Sequence, residues 1–119
     1  MNSRPEEMRH RTKAFALRVI RLFRSLPYRT DTQVLGKQFL RCGTAVAAIY
    51  RAVCRARSKA EFVARIGIVA EEADEAVLWL ELLTESGIIS EEKVKELLKE
   101  AKELAAIFTA SQQTAKRVA

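Results

Sequence analysis

The stretch that decides the fold is residues 35–53, LGKQFLRCGTAVAAIYRAV. Its apolar positions recur at alternating steps of four and three residues: Leu35, Phe39, Cys42, Val46, Ile49 and Val53. This spacing puts the apolar side chains on one side of an α-helix and is typical of a helix that packs in a bundle. Three other segments show the same spacing of apolar residues, so the sequence predicts an all-α protein.

The residues between the apolar segments predict where the helices end. Pro27 ends the first helix because the residue before a proline is disfavoured in the α region. Ser58 and Glu61 form a capping box at the start of the third helix, and Gly87 stops it. The predicted helices are residues 5–26, 32–55, 59–86 and 91–110, with a frayed tail at 111–119. Short connections between long helices predict an antiparallel, up-down-up-down four-helix bundle as one domain over residues 1–119.

The composition narrows the class of protein further. The 119 residues are 49% hydrophobic and 30% charged, with four glycines and two prolines, which is too few for the frequent turns of an all-β domain. No apolar run is long enough to span a membrane, and the N-terminus lacks the apolar core of a secretory signal. We therefore expect a cytoplasmic protein with no membrane partner.

The charge is unevenly distributed along the chain. Residues 1–65 contain 15 Lys and Arg against 4 Asp and Glu, and residues 66–119 contain 6 against 11, which together give the net charge of +6. A basic face could bind nucleic-acid phosphates, or it could pair with the acidic side chains of the third helix within or between subunits. The candidate phosphate-binding residues are Arg41, Arg51, Arg55, Arg57 and Lys59, followed by Arg11, Arg18 and Arg21 of the first helix.

Residue patterns that would indicate an enzyme do not occur in the sequence. It has no glycine-rich phosphate loop, and with one histidine, His10, it cannot supply the two Glu-x-x-His pairs that di-iron bundles use. Cys42 and Cys54 are twelve residues apart in one predicted helix, about 18 Å, so they cannot form a disulfide with each other. The sequence predicts a protein without catalytic residues, metal or cofactor.

The third helix has more apolar side chains than one bundle core needs. The interpretation that these residues are covered by another subunit competes with the interpretation that all of them belong to the core of a single chain. The residues predicted for a subunit interface are Trp79, Leu82 and Leu78.

The middle of the chain also resembles the sequences of a known protein family. The stretches that show it are QFLRCGTAV at 38–46, RARSKAEF at 55–62, GIVAEEADE at 67–75 and WLELL at 79–83. They resemble the four-helix bundle proteins encoded by intervening sequences of bacterial large-subunit rRNA genes. That family includes relatives of the accessory variability determinant of diversity-generating retroelements.

The resemblance implies a non-enzymatic bundle that assembles as a ring-like homopentamer. For the retroelement branch it also implies a basic surface that contacts nucleic acid, and a reverse transcriptase as partner. The leading hypothesis is an oligomeric bundle that binds RNA or DNA through backbone phosphates. The alternative is a structural scaffold that binds a protein partner without touching nucleic acid.

Overall fold

The computed structural model of the protein describes residues 4–118, which form four α-helices. Helix α1 is Arg4–Ser25, α2 is Thr30–Cys54, α3 is Lys59–Glu85 and α4 is Glu91–Arg117. No strand occurs among these described residues, so the predicted all-α class is confirmed.

The last helix is longer than the sequence predicted. Helix α4 continues past residue 110 to Arg117, so the prediction of a frayed tail is wrong for residues 111–117, while Ala119 lies outside the described residues. The cause is a tertiary contact: the side-chain Nε2 of Gln112 donates a hydrogen bond to the carbonyl oxygen of Val63 at 3.2 Å. A polar side chain thus holds these last turns against α3, in a segment without an apolar stripe.

The core is formed by the apolar residues that recur at steps of four and three, which we call the apolar seam. Helix α2 packs against α1 and α3, α3 also packs against α4, and α1 and α4 meet more sparsely. On α2, the seam residues Phe39, Cys42, Val46 and Val53 are buried. Leu35 and Ile49 of the same seam are partly buried and pack against that core.

The helix ends are fixed by local contacts. The Ser58 hydroxyl accepts a hydrogen bond from the backbone N–H of Glu61 at 3.1 Å, as the capping-box pattern predicts. Gly87, which follows α3, has a φ of 83°, a left-handed conformation that a residue without a Cβ adopts easily.

One end of the bundle brings together parts of all four helices. Arg4 of α1, Tyr50 of α2, Phe62 of α3 and Ser111 of α4 line a single small cavity. The start of α1, the end of α2, the start of α3 and the last turns of α4 therefore lie at the same end of a molecule whose longest dimension is 49 Å.

Gly43 allows α1 and α2 to approach closely. A Cβ at this position would lie 2.7 Å from both Cγ1 and Cγ2 of Val19, which is fully buried. We expect Gly43→Ala to lower the free energy of unfolding by about 1–2 kcal/mol, because overpacking costs up to about 3 kcal/mol and the gain in helix propensity offsets about 1 kcal/mol of it. Chemical denaturation measures this change. In a protein that also carries Val19→Ala, the Gly43→Ala substitution should no longer destabilise the fold. If Gly43→Ala alone were as stable as the wild type, the close approach of α1 and α2 at this position would be contradicted.

Candidate nucleic-acid interface

A cleft between the first turns of α1 and the last turns of α2 is lined by cationic side chains. Arg9 and Lys13 are four residues apart on α1, and Arg51 and Arg55 are four residues apart on α2, so each pair shares one face of its helix. The cleft has a volume of about 460 Å³ and is completed by other side chains: Glu6, His10 and Cys54. We call this site the basic cleft.

The four cations of the basic cleft are available to a ligand. Within residues 4–118, none of Arg9, Lys13, Arg51 and Arg55 forms an ion pair with a carboxylate. Arg51 and Arg55 are exposed, and Glu6 brings one negative charge to the described lining. Four positive charges that converge on a concave surface raise the local concentration of anions.

Arg41, a predicted phosphate ligand, lies in an ion-pair network on the α2–α3 surface. Its Nη1 donates to Glu72 Oε2 at 2.9 Å, and its Nη2 donates to Glu75 Oε1 at 3.4 Å and to Cys42 Sγ at 3.1 Å. The Cys42 sulfur and the two carboxylates lie within 4.8 Å of one another, a spacing that could hold a metal ion. The Arg41 guanidinium contacts all three groups, which fits an ion-pair network better than a cation site.

Arg11, another predicted phosphate ligand, is bound by carboxylates of α4. Its Nε donates to Glu100 Oε2 at 2.8 Å, its Nη2 donates to Glu100 Oε1 at 2.7 Å, and the same Nη2 donates to Glu103 Oε1 at 3.1 Å. For Arg41, the structure agrees with the alternative interpretation, in which the cations pair with the third helix. Arg11 is also paired, but with carboxylates of α4, which that interpretation did not name.

These contacts change the pKa values of the carboxyl groups. The hydrogen bond from Arg11 lowers the pKa of Glu100. Burial raises the pKa of Glu72, and Arg41 acts in the opposite direction. Burial also raises the pKa of Tyr50, beside the basic cleft, to about 12, with a further contribution from Cys54.

The pair of Arg11 and Glu100 predicts a pH-dependent contribution to stability. Because the pKa of Glu100 is lower in the folded state, its stabilisation is fully present above the unfolded value of about 4.3 and is lost as pH falls through the folded value. We expect Glu100→Gln to lower the free energy of unfolding by about 1 kcal/mol at neutral pH, a modest figure because Arg11 is partly solvated. Urea denaturation at several pH values measures the difference in free energy of unfolding between the variant and the wild type, and we expect this difference to shrink in acid. Glu96→Gln, an exposed change on the same helix, should unfold with the free energy of the wild type at every pH. A difference for Glu100→Gln that stays constant with pH would contradict a stabilisation by the ion pair.

The other predicted cations lie in three places. Arg57, in the connection between α2 and α3, and Lys59, the first residue of α3, are exposed at the same end of the bundle as the basic cleft. Arg18 is partly buried and contributes to lowering the pKa of Glu100. Arg21 is exposed on α1.

Sequence reasoning missed Arg9, His10 and Lys13 as members of the site. Their signal was the four-residue spacing of Arg9 and Lys13, which matches the spacing of Arg51 and Arg55. That signal acquires meaning only when the start of α1 is placed beside the end of α2.

The comparisons with known proteins identify the family. The profile of the family described as "23S rRNA-intervening sequence protein" matches residues 6–110. The chain belongs to this family. Its bundle is similar to a solved member of the S23 ribosomal protein family from Bacteroides thetaiotaomicron VPI-5482, a protein described as having unknown function. The TM-score is 0.84 at 27% sequence identity, and the alignment covers 93% of this chain and 99% of the other. A comparison with curated proteins found no match.

This family member also exposes apolar side chains on α3. Leu78 is 47% exposed and Leu82 is 37% exposed, as an interface between subunits would require. Trp79, predicted for the same interface, is instead partly buried against the core of its own chain. Its Nε1 is buried without a hydrogen-bond acceptor among the described residues.

Among residues 4–118, no helix has a stretch long and apolar enough to cross a membrane.

Proposed function

We propose that this member of the 23S rRNA-intervening sequence protein family is a non-enzymatic bundle that binds RNA or DNA through backbone phosphates. The observation that carries the proposal is the basic cleft, in which Arg9, Lys13, Arg51 and Arg55 converge without carboxylate partners in the described part of the chain. Guanidinium groups form paired hydrogen bonds with phosphate oxygens, and bound cations release counterions from nucleic acid.

The distribution of charge along the bundle supports a binding end. The end that contains the basic cleft also carries further cations from the connection and from the helix termini: Arg4, Arg57, Lys59, Lys116 and Arg117. The opposite end combines cations with acidic residues at the helix ends: Asp31, Glu85, Glu91 and Glu92. The end that contains the basic cleft has acidic residues as well, Glu6 and Glu7 of α1 and Glu61 of α3, but its cations outnumber them. We expect the contacts to be independent of base sequence, since phosphates carry no sequence information directly.

Titration across salt concentrations tests the proposal. A labelled RNA hairpin and a DNA duplex are titrated with the protein from low to physiological salt. We expect the logarithm of the affinity to fall linearly with the logarithm of the salt concentration. The slope should be at least about 3 in magnitude, from about 0.9 per neutralised phosphate and four cations in the basic cleft. Absence of binding at low salt, or an affinity that salt does not change, would contradict phosphate contacts.

We also propose an antiparallel, up-down-up-down arrangement of the helices. Pairs of residues in contact support it, because their numbers rise on one helix as they fall on the next. Arg41 of α2 meets Glu72 of α3, whereas the carbonyl of Ala52, later on α2, accepts from Arg65, earlier on α3.

We infer that the bundle associates with copies of itself through the outer surface of α2 and α3. Arg41 meets Glu75 on this surface, and Val34 and Leu82 each lie seven residues, or two helical turns, from that pair in the same direction along the bundle. Val34 is 58% exposed, so it extends the apolar surface that Leu78 and Leu82 begin. The number of five subunits comes from the family resemblance.

The retroelement role is a narrower form of the same proposal. On this hypothesis the cytoplasmic protein assists a reverse transcriptase whose nucleic acid it helps to hold. Neighbouring genes test it: a reverse transcriptase gene with template and variable repeats supports the role. Location inside an rRNA gene contradicts it.

A scaffold without nucleic-acid contact is the second candidate. It is favoured by the carboxylate pairing of Arg11 and Arg41, which removes two cations from the predicted binding face. An oligomer that binds neither RNA nor DNA in the salt titration would support this candidate over the first.

A further inference from the structure

One aromatic side chain stands almost fully in solvent. Tyr28, in the connection between α1 and α2, is 92% exposed, more than any other large hydrophobic side chain that the structure describes. Its ring therefore contributes little to the packing of the bundle and is accessible to a ligand.

The connection that carries Tyr28 is short and held by hydrogen bonds. The backbone N–H of Arg29 donates to the carbonyl oxygen of Pro27 at 3.2 Å. The Asp31 carboxylate accepts from the backbone N–H of Thr32 at 2.8 Å and lies 3.5 Å from the Nε of Arg29. A segment fixed in this way presents its aromatic ring at little further cost in conformational entropy when a ligand binds.

Tyr28 borders a cleft whose lining combines three kinds of group. The cleft has a volume of about 420 Å³, within the range of small-ligand sites, and its lining residues are Tyr28, Arg29, Thr30, Gln33, Val34 and Lys37. The ring offers a stacking surface, Gln33 and Thr30 offer hydrogen bonds, and Lys37 offers positive charge, whereas Arg29 already pairs with Asp31. No carboxylate is among these described lining residues.

We propose that this cleft, the Tyr28 cleft, binds an unpaired nucleotide of a single-stranded nucleic acid. The base stacks on Tyr28, its edge meets Gln33 or Thr30, and the phosphate lies against Lys37. Aromatic rings with adjacent cations are the usual means by which proteins bind single strands, because every base has a flat face to stack.

This inference rests on the proposed function and adds a preference that the basic cleft cannot supply. Cations that contact phosphates bind single strands and duplexes alike, whereas a base inside a duplex is already stacked and paired. The Tyr28 cleft, at the opposite end of the bundle from the basic cleft, therefore predicts tighter binding of single strands than charge alone would give.

Substitution of Tyr28 tests the proposal with two probes, a labelled oligouridylate and a labelled, blunt-ended RNA duplex that is paired throughout. We expect Tyr28→Ala to weaken binding of the oligouridylate by about 5- to 150-fold, the effect of losing one stacked base. Binding of the duplex should not change. Tyr28→Phe is the matched control, since it keeps the ring, and it should retain most of the affinity. Oligodeoxythymidylate in place of oligouridylate shows whether the site distinguishes RNA from DNA.

The outcomes separate this inference from the proposed function. If Tyr28→Ala binds both probes as the wild type does, the Tyr28 cleft is not a nucleotide site, while salt-dependent binding still supports the basic cleft. Equal weakening of the two probes also overturns the inference, because a stacked duplex base cannot reach the ring. A change in oligomeric mass with unchanged affinity would identify Tyr28 as a protein contact instead. If the wild type binds neither probe at low salt, both proposals fail.

Discussion

Replacing Arg51 and Arg55 by glutamine is expected to weaken nucleic-acid binding by about 100-fold at low salt. Both side chains are exposed at the basic cleft and lack a carboxylate partner in the described chain, so a phosphate would be their main ionic contact. A hydrogen bond to a charged group contributes about 1.5–3 kcal/mol, and two losses at the lower end of this range weaken binding by somewhat more than about 100-fold. Glutamine keeps much of the side-chain length and removes the charge. Fluorescence anisotropy with a labelled duplex measures the change.

The matched control removes the same amount of charge from other positions of α1 and α2. Arg11→Gln with Arg41→Gln also reduces the net charge from +6 to +4 (6 − 2), but these guanidinium groups already bind carboxylates. We expect less than about a threefold change in affinity, because long-range effects of surface charge are screened by salt. Circular dichroism should verify folding, since the loss of Arg41 leaves the buried Glu72 without its cation. Equal weakening in the two double variants would show that net charge acts rather than the basic cleft.

Changing Leu78 and Leu82 to serine is expected to dissociate the oligomer. Both side chains are substantially exposed in the single chain, so the fold loses little, whereas an interface would bury them completely. Central interface residues each contribute about 2 kcal/mol or more, so the concentration at which subunits associate should rise about a thousandfold. Light scattering across protein concentrations measures the shift.

A second exposed leucine serves as the control for this experiment. Leu17 of α1 is 45% exposed but lies on a different helix, and Leu17→Ser should leave the oligomeric mass unchanged. A monomeric wild type would contradict the proposed association. A Leu78→Ser/Leu82→Ser variant with the mass of the wild-type oligomer would place the interface elsewhere.

The fold was predictable because local patterns and tertiary packing agree. The steps of four and three residues on α2 identified Phe39, Cys42 and Val46 as core residues, and all three are completely buried. The capping pattern at Ser58 likewise placed the start of α3. The end of α4 could not be predicted, because it depends on Gln112 reaching a carbonyl group on another helix.

The candidate site was predictable only in part, because its members face one another across two helices. Arg51 and Arg55 could be found from their shared face on α2, whereas the relevance of Arg9 and Lys13 depends on how α1 lies against α2. The spacing of cations within one helix says nothing about carboxylates on other helices.

Ion pairing and the burial of apolar side chains near helix contacts also depend on how the helices are arranged, which spacing within one helix does not reveal. The ion pair of Arg41 with α3 was an open alternative until the helices were placed, and that of Arg11 with α4 was not predicted. Trp79 follows Leu78 directly, yet a rotation of one residue about α3 turns it toward the core.

The most direct measurement is the salt dependence of binding in the wild type and in the Arg51→Gln/Arg55→Gln variant. The slope of log affinity against log salt counts neutralised phosphates, at about 0.9 per contact for duplex DNA and about 0.7 for single strands. If the basic cleft holds the phosphates, loss of the two arginines should reduce the magnitude of the slope by about 1.4–1.8. The Arg11→Gln/Arg41→Gln control should keep the wild-type slope. Identical slopes in the wild type and the Arg51→Gln/Arg55→Gln variant would show that nucleic acid, if bound, does not contact these side chains.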